Sequence, residues 1–476
     1  MKFFKILFKL ISGILLLLLI AISFIFLVEY YNSSYLEIDD HNSTNDLIIS
    51  NVNVIPMTAD TIYKNQTVII KDGIINSIQS KTQLQEGIEV IDGSNKFLAP
   101  GLIDMHVHVW DEYELGLYLA NGVTAVRNVW GLPMHLRLKE SINAEEIYSP
   151  NFYTSGPKLT GPEFIGDDNL NLTNPKEAAN KIIDYKKRGY DFIKTYYGLT
   201  PEIYDAIIDQ AKSSDIDIIA HPSQKVPYSY HFNNQIKSIE HAEDIVQQPL
   251  NYSLDTLKLK EVVSDFADYG KANFCPTLVV YNNIYQMLID DNILQEDRMN
   301  YMNPLIKMVD SEAQFNRWQN SKSNDSSVVS NIKAQHDFHL KIVKDLNDAG
   351  VNIICGTDAG IGVTMPGKSI HKELQFYSEA GLSNFEVLKT ATINAANTHE
   401  LMSNMGTIEK AKIANLILLN DNPLEDLSTL QNPAAVIING HYLSQEFLEL
   451  LKQEALERNN LLYTALFYLE NLLVEK

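Results

Sequence analysis

A chain of 476 residues exceeds one small domain and suits a large barrel with a smaller companion unit. Its 45% apolar content allows a sizeable core, and a formal net charge of −22 argues against nucleic acid as a partner, since nothing would neutralise phosphates. Cys275 and Cys355 are the two cysteines, so there is no disulfide framework; both lie in apolar runs and read as buried thiols.

Lys2, Lys5 and Lys9 precede Leu10–Val28, a stretch without any charged residue. As a helix it spans roughly 28 Å, close to the hydrocarbon thickness of a bilayer. A cleaved signal would have a shorter apolar core and a small-residue site, whereas Ala21 and Ser23 run into Phe24-Ile25-Phe26-Leu27. Residues 1–28 therefore read as an uncleaved anchor, with secretion after signal cleavage as the alternative. The lysines would stay cytoplasmic, placing the rest at the periplasm or cell surface. Residues 29–45, rich in Asn, Ser and Asp, read as a polar tether.

From residue 46 to 98 the texture is β, with Lys71-Asp72-Gly73 and Asp92-Gly93-Ser94 as turn signals. This stretch is expected to form a small β-sandwich with residues 404–443, where Ala414–Leu419 and Ala435–Ile438 return before the hairpin signal Asn439-Gly440. Between them, over residues 99–403, strand-like runs alternate with helical patterns. The strands are placed at Leu102–Met105, Val123–Val126, Phe152–Ser155, Phe192–Thr195, Ile216–Ala220, Ile239–His241, Phe274–Val279 and Ile353–Gly356. Eight such units predict an α/β fold, a (β/α)8 TIM barrel whose site lies at the strands' C-terminal ends. Pro175–Arg188 and Pro201–Ser213 are helices begun by proline, where its missing N–H costs nothing. Residues 281–336 form a helical insertion near the barrel mouth. Residues 444–476 read as two amphipathic helices packed on the sandwich or on a second subunit of a homo-oligomer.

His106 and His108 alternate on one strand and so face the same way, able to share one ion. Four more metal-compatible groups fall at strand ends: Lys194, His221, His241 and Asp358. Four imidazoles and a carboxylate suit zinc or a similar divalent ion.

These residues lie in stretches that resemble the metal-dependent amidohydrolase superfamily, its imidazolonepropionase-like and prolidase-like branch. The stretches are Ala99-Pro-Gly-Leu-Ile-Asp-Met-His-Val-His, Ala120-Asn-Gly-Val-Thr-Ala-Val-Arg-Asn, Ser238-Ile-Glu-His and Gly356-Thr-Asp-Ala-Gly. Gly381-Leu-Ser, Ala391-Thr-Ile-Asn-Ala-Ala and Asn415-Leu-Ile-Leu-Leu-Asn-Asp-Asn-Pro-Leu also match, while Ala411-Lys-Ile-Ala-Asn departs where the family usually has Gly-Lys-x-Ala-Asp. The resemblance implies two divalent metal ions. His106, His108 and Asp358 would hold the buried one, His221 and His241 the exposed one, with Lys194 bridging them as a carbamate. A lysine that is instead ion-paired would leave a one-metal site. The resemblance further implies that a metal-held hydroxide attacks a carbonyl while Asp358 relays the proton to the departing amine.

Candidate substrate contacts are Arg127 (or a structural salt bridge), Tyr197 beside Tyr196, His135, Tyr230 and His231, with Trp110 and Trp130 as an apolar wall. His336, His339, His371 and His399 read as surface or packing residues. The expected activity is hydrolysis of an amide-type C–N bond in a small molecule, such as an Xaa-Pro dipeptide. The same site would serve a cyclic amide, imidazolone or lactone. The reading from another class is a membrane-displayed binding barrel without catalysis.

Overall fold

The computed structural model describes residues 2–38, 45–80, 87–162 and 170–475. A helix spans Lys2–Ser33 and continues into a short 3-10 turn, Ser34–Leu36. Most of the expected tether is therefore structured, and its residues 39–44 lie outside the described ones. Its polar composition hid one anchor: Leu36 is fully buried and packs over Gly116. Main-chain bonds from Ile38 N to Glu146 O (3.0 Å) and from Tyr148 N to Leu36 O (2.7 Å) fix the segment.

β1 (Leu47–Val54), β2 (Tyr63–Lys71), β3 (Ile74–Gln79), β4 (Glu89–Asp92) and β5 (Phe97–Pro100) precede the barrel. The barrel strands are β6 (Leu102–Val107), β7 (Val123–Asn128) and β8 (Asn151–Thr154), then, past the short β9 (Leu159–Thr160) and β10 (Leu170–Asn171), β11 (Phe192–Thr195), β12 (Asp217–Ala220), β13 (Ile236–Glu240), β14 (Asn273–Cys275) and β15 (Asn352–Ile353). Neighbours are parallel. A bridge from Ser155 to Phe192 joins β8 to β11, and Met105 N to Cys355 O (2.8 Å) joins β6 to the residues after β15. The eight strands thus form a closed ring.

The helices that return the chain between strands carry the capping chemistry their sequence announces. Pro175–Arg188 is capped by Asn174, whose side chain accepts from Glu177 N, and ends at Gly189 in the left-handed region. β14 is shorter than expected, because Pro276 has no N–H for the ladder and the Glu373 carboxylate accepts from Leu278 N (2.9 Å) and Val279 N (2.8 Å), starting a helix there.

β16 (Leu416–Leu419), β17 (Ala435–Ile438) and β18 (His441–Ser444) return to the first unit. Instead of a two-sheet sandwich, they form one sheet of order β18-β17-β16-β5-β1-β2-β3, with β4 beside β1. β5 is the reason: it pairs with β16 on one side and with β1 on the other, so the two chain segments share one ladder. Val52, Val68, Leu98, Leu416 and Ile437 meet in one buried cluster.

The insertion is built on helices Leu278–Ile289, Glu312–Asn324 and Ser327–Asp348, the last two joined by a tight turn at Asp325. Its Met287, Leu288, Met299 and Ile306 cluster with Trp110, Leu132 and Met134 from the loops after β6 and β7, covering the C-terminal end of the barrel. Of the C-terminal helices, Gln445–Glu457 lays Leu451 over Gly116 of a barrel helix. Leu461–Glu475 docks on Pro133–Asn143 through the two-pronged Arg137–Glu470 pair (2.8 and 2.7 Å). Both therefore lie on the barrel rather than on the sheet alone.

Candidate active site

β6 delivers His106 and His108 to one side of the barrel, and the turn Gly356–Gly360 brings Asp358 to meet them. The Asp358 carboxylate lies 2.6 Å from His108 Nε2 and 3.4 Å from His106 Nε2. The glycines of that turn are dictated by crowding. A Cβ on Gly356 would lie 2.4 Å from Cys275 Sγ, and one on Gly360 only 1.8 Å from the His108 carbonyl oxygen. Beneath, Asp104 accepts from Thr357 N (3.1 Å) and from Thr357 Oγ1 (2.7 Å), pinning the turn to β6.

His241 and His221, from the ends of β13 and β12, extend the cluster. Ring centroids run 5.6 Å from His108 to His106, 4.7 Å on to His241 and 4.6 Å on to His221. Lys194, on β11 and 1% exposed, lies near enough to His221 and His241 for its charge to act on both. His241, Thr277 and Asp358 all have left-handed backbone, with φ of 67°, 49° and 59°. Such strain costs roughly 1–3 kcal/mol per residue and gathers where side-chain aim matters. Here it turns three successive strand ends into one mouth.

Several polar atoms of this cluster are buried without being satisfied. Among the described residues, Lys194 Nζ, His108 Nδ1 and His221 Nδ1 have no hydrogen-bond partner. His241 Nδ1 is held by Thr277 Oγ1 at 2.8 Å. His106 Nδ1 meets Glu240 Oε2 at 2.6 Å, which makes Nδ1 the protonated nitrogen and leaves the Nε2 lone pair free on the Asp358 side.

Burial, with neighbouring cations, holds His221 and His241 well below the usual imidazole range, so both are neutral lone-pair donors. Burial also lowers the Lys194 amine to about 8. It pushes the Asp358 carboxyl upward, yet His106 and His108 outweigh it and hold the group well below its ordinary value. His106, His108 and Asp358 offer ligand atoms at a spacing that fits a divalent metal ion, and the neutral imidazoles of His221 and His241 extend the donor set.

Residues 97–443, which hold all six of these groups, match the family described as the amidohydrolase family. The chain belongs to that family. It is accordingly a hydrolase of carbon–nitrogen bonds, in a family that is generally metal-dependent. Ochratoxinase from Aspergillus niger is 22% identical over 441 residues, covering 78% of this chain and 81% of that one. A solved bottromycin amidohydrolase, 21% identical, superposes with a TM-score of 0.71 over 90% of this chain and 95% of its own. A putative prolidase from Bifidobacterium longum is 24% identical, with a TM-score of 0.66 over 86% and 98%.

Within this amidohydrolase the candidate substrate contacts separate sharply. Tyr197 and Tyr196 reach the site, their rings 4.3 and 4.4 Å from the His221 ring. Arg127 does not face substrate: it is fully buried below the cluster, bonded to Met105 O (2.6 Å), Ser238 Oγ (2.9 Å), His399 Nε2 (3.0 Å) and Glu240 Oε1 (2.9 Å). His135 is internal, its Nε2 donating to Val109 O (2.8 Å) and its Nδ1 accepting from Leu132 N (2.9 Å). His231 likewise ties Tyr228 O (2.8 Å) to Ser223 N (3.2 Å). Tyr230 turns outward to the Asp205 carboxylate. Sequence position after a strand was the signal for all four, and it cannot tell a mouth residue from one that braces a loop.

Three residues at the site escaped sequence reading. Lys158, in the loop after β8, sets its ammonium 3.8 Å from the Trp130 ring centre and 4.9 Å from that of Tyr196; the loop after the third strand would have pointed to it. Asp244 places a carboxylate oxygen 3.2 Å from His221 Nε2. Glu240, two residues from Ser238 on β13, faces the barrel interior by strand alternation and orients His106.

Proposed function

We propose that this chain hydrolyses an amide bond in a small molecule or short peptide, of the size of an Xaa-Pro dipeptide, at a site for two divalent metal ions, zinc by donor type. The observation that carries the reading is the set of buried nitrogens at the barrel mouth that have no hydrogen-bond partner among the described residues, above all Lys194 Nζ, whose charge acts on His221 and His241. His106, His108 and Asp358 would hold one ion, and His221 and His241 the other. A lysine ammonium would repel both ions, whereas its carbamate with CO2 offers two anionic oxygens; the lowered pKa of Lys194 keeps the amine available for that reaction. When bound, such ions make water acidic enough to attack near neutral pH and polarise the carbonyl.

The chain's own residues supply the rest. Asp358 accepts the proton of the attacking water and returns it to the departing nitrogen. Glu240 holds the His106 ring in register, and Thr277 does the same for His241. Tyr196, Tyr197 and Trp130 wall the pocket, and Lys158 sets its ammonium over the Trp130 ring there. The helix Lys2–Ser33 anchors the enzyme, with the catalytic unit outside the cytoplasm; its apolar length supports this.

The test is hydrolysis of a panel of dipeptides and N-acyl amino acids by the full chain, before and after chelation and zinc return. Turnover lost on chelation and restored by metal is expected. Turnover indifferent to chelation would overturn the metal reading, and no turnover with metal loaded would overturn the activity.

A further inference from the structure

The anchor helix is not hung on the barrel by a free linker; it is seated at one end. Phe26, within the apolar stretch, packs edge-on against Tyr463 and Phe467 with centroids 5.3 and 5.8 Å away. Glu29 is buried beside Asn460, whose amide reaches Asp111 Oδ2 at 2.9 Å. Asp111 caps the helix that follows β6, so this contact lies level with the C-terminal strand ends, where the catalytic cluster sits. From there the chain descends the barrel wall to Leu36 and Ile38, which bond to Tyr148 and Glu146 just ahead of β8, at the opposite end. The exposed apolar turns before Phe26 therefore stand off the catalytic end.

That end also carries exposed apolar residues on other elements. Met308 is 48% and Val309 57% exposed in the turn Lys307–Ser311, which Asp310 fastens to Gly362 N (2.7 Å) in the loop after β15. Leu462, 61% exposed, follows Asn460 beside the seated helix. Behind them Trp110, Leu132, Met134 and Met365 form a buried apolar wall that runs to Trp130 against His108.

We propose that the catalytic mouth faces the bilayer surface, with Met308, Val309 and Leu462 touching lipid, and that the substrates are amphiphilic amides presented from it, an acyl chain lying toward that apolar wall. The occupant of this face is the bilayer, because it continues the contact the membrane-spanning helix already makes with Tyr463 and Phe467. With a net charge of −22 the adhesion is apolar rather than electrostatic. The substrate half rests on the amide-hydrolase reading; the orientation rests on the helix alone.

The orientation is tested by spin labels on Val309→Cys and Val90→Cys in the full chain held in lipid nanodiscs, the native Cys275 and Cys355 being buried and unreactive. Val90 lies on β4, in the sheet at the other end. A label at 309 that collides with oxygen in preference to a water-soluble nickel chelate, with the reverse at 90, is expected. Equal aqueous exposure at both positions overturns the orientation. The substrate half is tested with N-dodecanoyl and N-acetyl forms of one amino acid in the same nanodiscs. A preference for the long chain on the order of tenfold or more in kcat/KM, falling as inert lipid is added, is expected. Equal rates without lipid dilution overturn it. No cleavage of either amide, with the 309 label in lipid, overturns the amide reading and leaves the orientation standing.

Discussion

Two buried polar clusters are stacked in the same barrel, and they are built on opposite rules. The lower one saturates itself: Arg127 bonds Met105 O, Ser238, His399 and Glu240, Ser238 bonds Glu240, and His399 Nδ1 meets Asp217 at 2.8 Å. The upper one leaves Lys194 Nζ, His108 Nδ1 and His221 Nδ1 without hydrogen-bond partners among the described residues. A buried polar group left unpaired costs about 1–3 kcal/mol, so the lower cluster is a floor and the upper one an unfinished coordination shell. Glu240 joins them, one oxygen on Arg127 and the other on His106.

The largest contrast is in catalysis. Asp358→Asn should lower kcat/KM about 10²- to 10⁴-fold, the range of a general acid–base group, and full activity with metal bound would remove Asp358 from the proton relay. Next comes stability, where the two clusters should respond with opposite sign in metal-free protein. Arg127→Met strands the Glu240 carboxylate and should cost about 3–5 kcal/mol in denaturant unfolding. Lys194→Met removes an amine that has no hydrogen-bond partner among the described residues and should be neutral or stabilising in the same measurement. If both variants were equally destabilised, the upper cluster would be a structural network like the lower one. Smaller again is Glu240→Gln, at the joint: metal affinity should fall about 10- to 100-fold through the freed His106 ring, seen by competition with a chelator.

The pH dependence sharpens the role of Lys194. Burial lowers its amine to about 8, so the neutral, CO2-reactive form grows as pH rises through that value. Reconstitution of metal-free enzyme with zinc, at a fixed concentration of dissolved CO2, should therefore speed up about tenfold per pH unit below about 8 and level off above it. A rate flat across pH 6 to 9 would mean that no lysine deprotonation limits assembly.

Much of the fold was legible because local rules and barrel topology agree. Phe192–Thr195, Pro175–Arg188 and Pro201–Ser213 have the bounds their sequences announce, through strand propensity, proline starts and a left-handed Gly189. The six strand-end groups were legible for the same reason, since alternation and strand ends place side chains without knowledge of neighbours. What stayed hidden depends on distant partners. Leu36 looked like linker because Gly116 is far along the chain. Arg127 stayed open between a substrate ligand and a structural salt bridge because Glu240 and His399, which make it the latter, approach it only in three dimensions. His135 and His231 brace loops whose main-chain donors and acceptors no periodicity reveals.

The most direct measurement is metal content of the full chain purified in detergent, wild type beside Lys194→Ala. Two ions per chain in the wild type, falling to one or none in the variant, is the result expected if the unpartnered lysine completes a bridged pair. One ion in both proteins would contradict it and make Lys194 a structural residue.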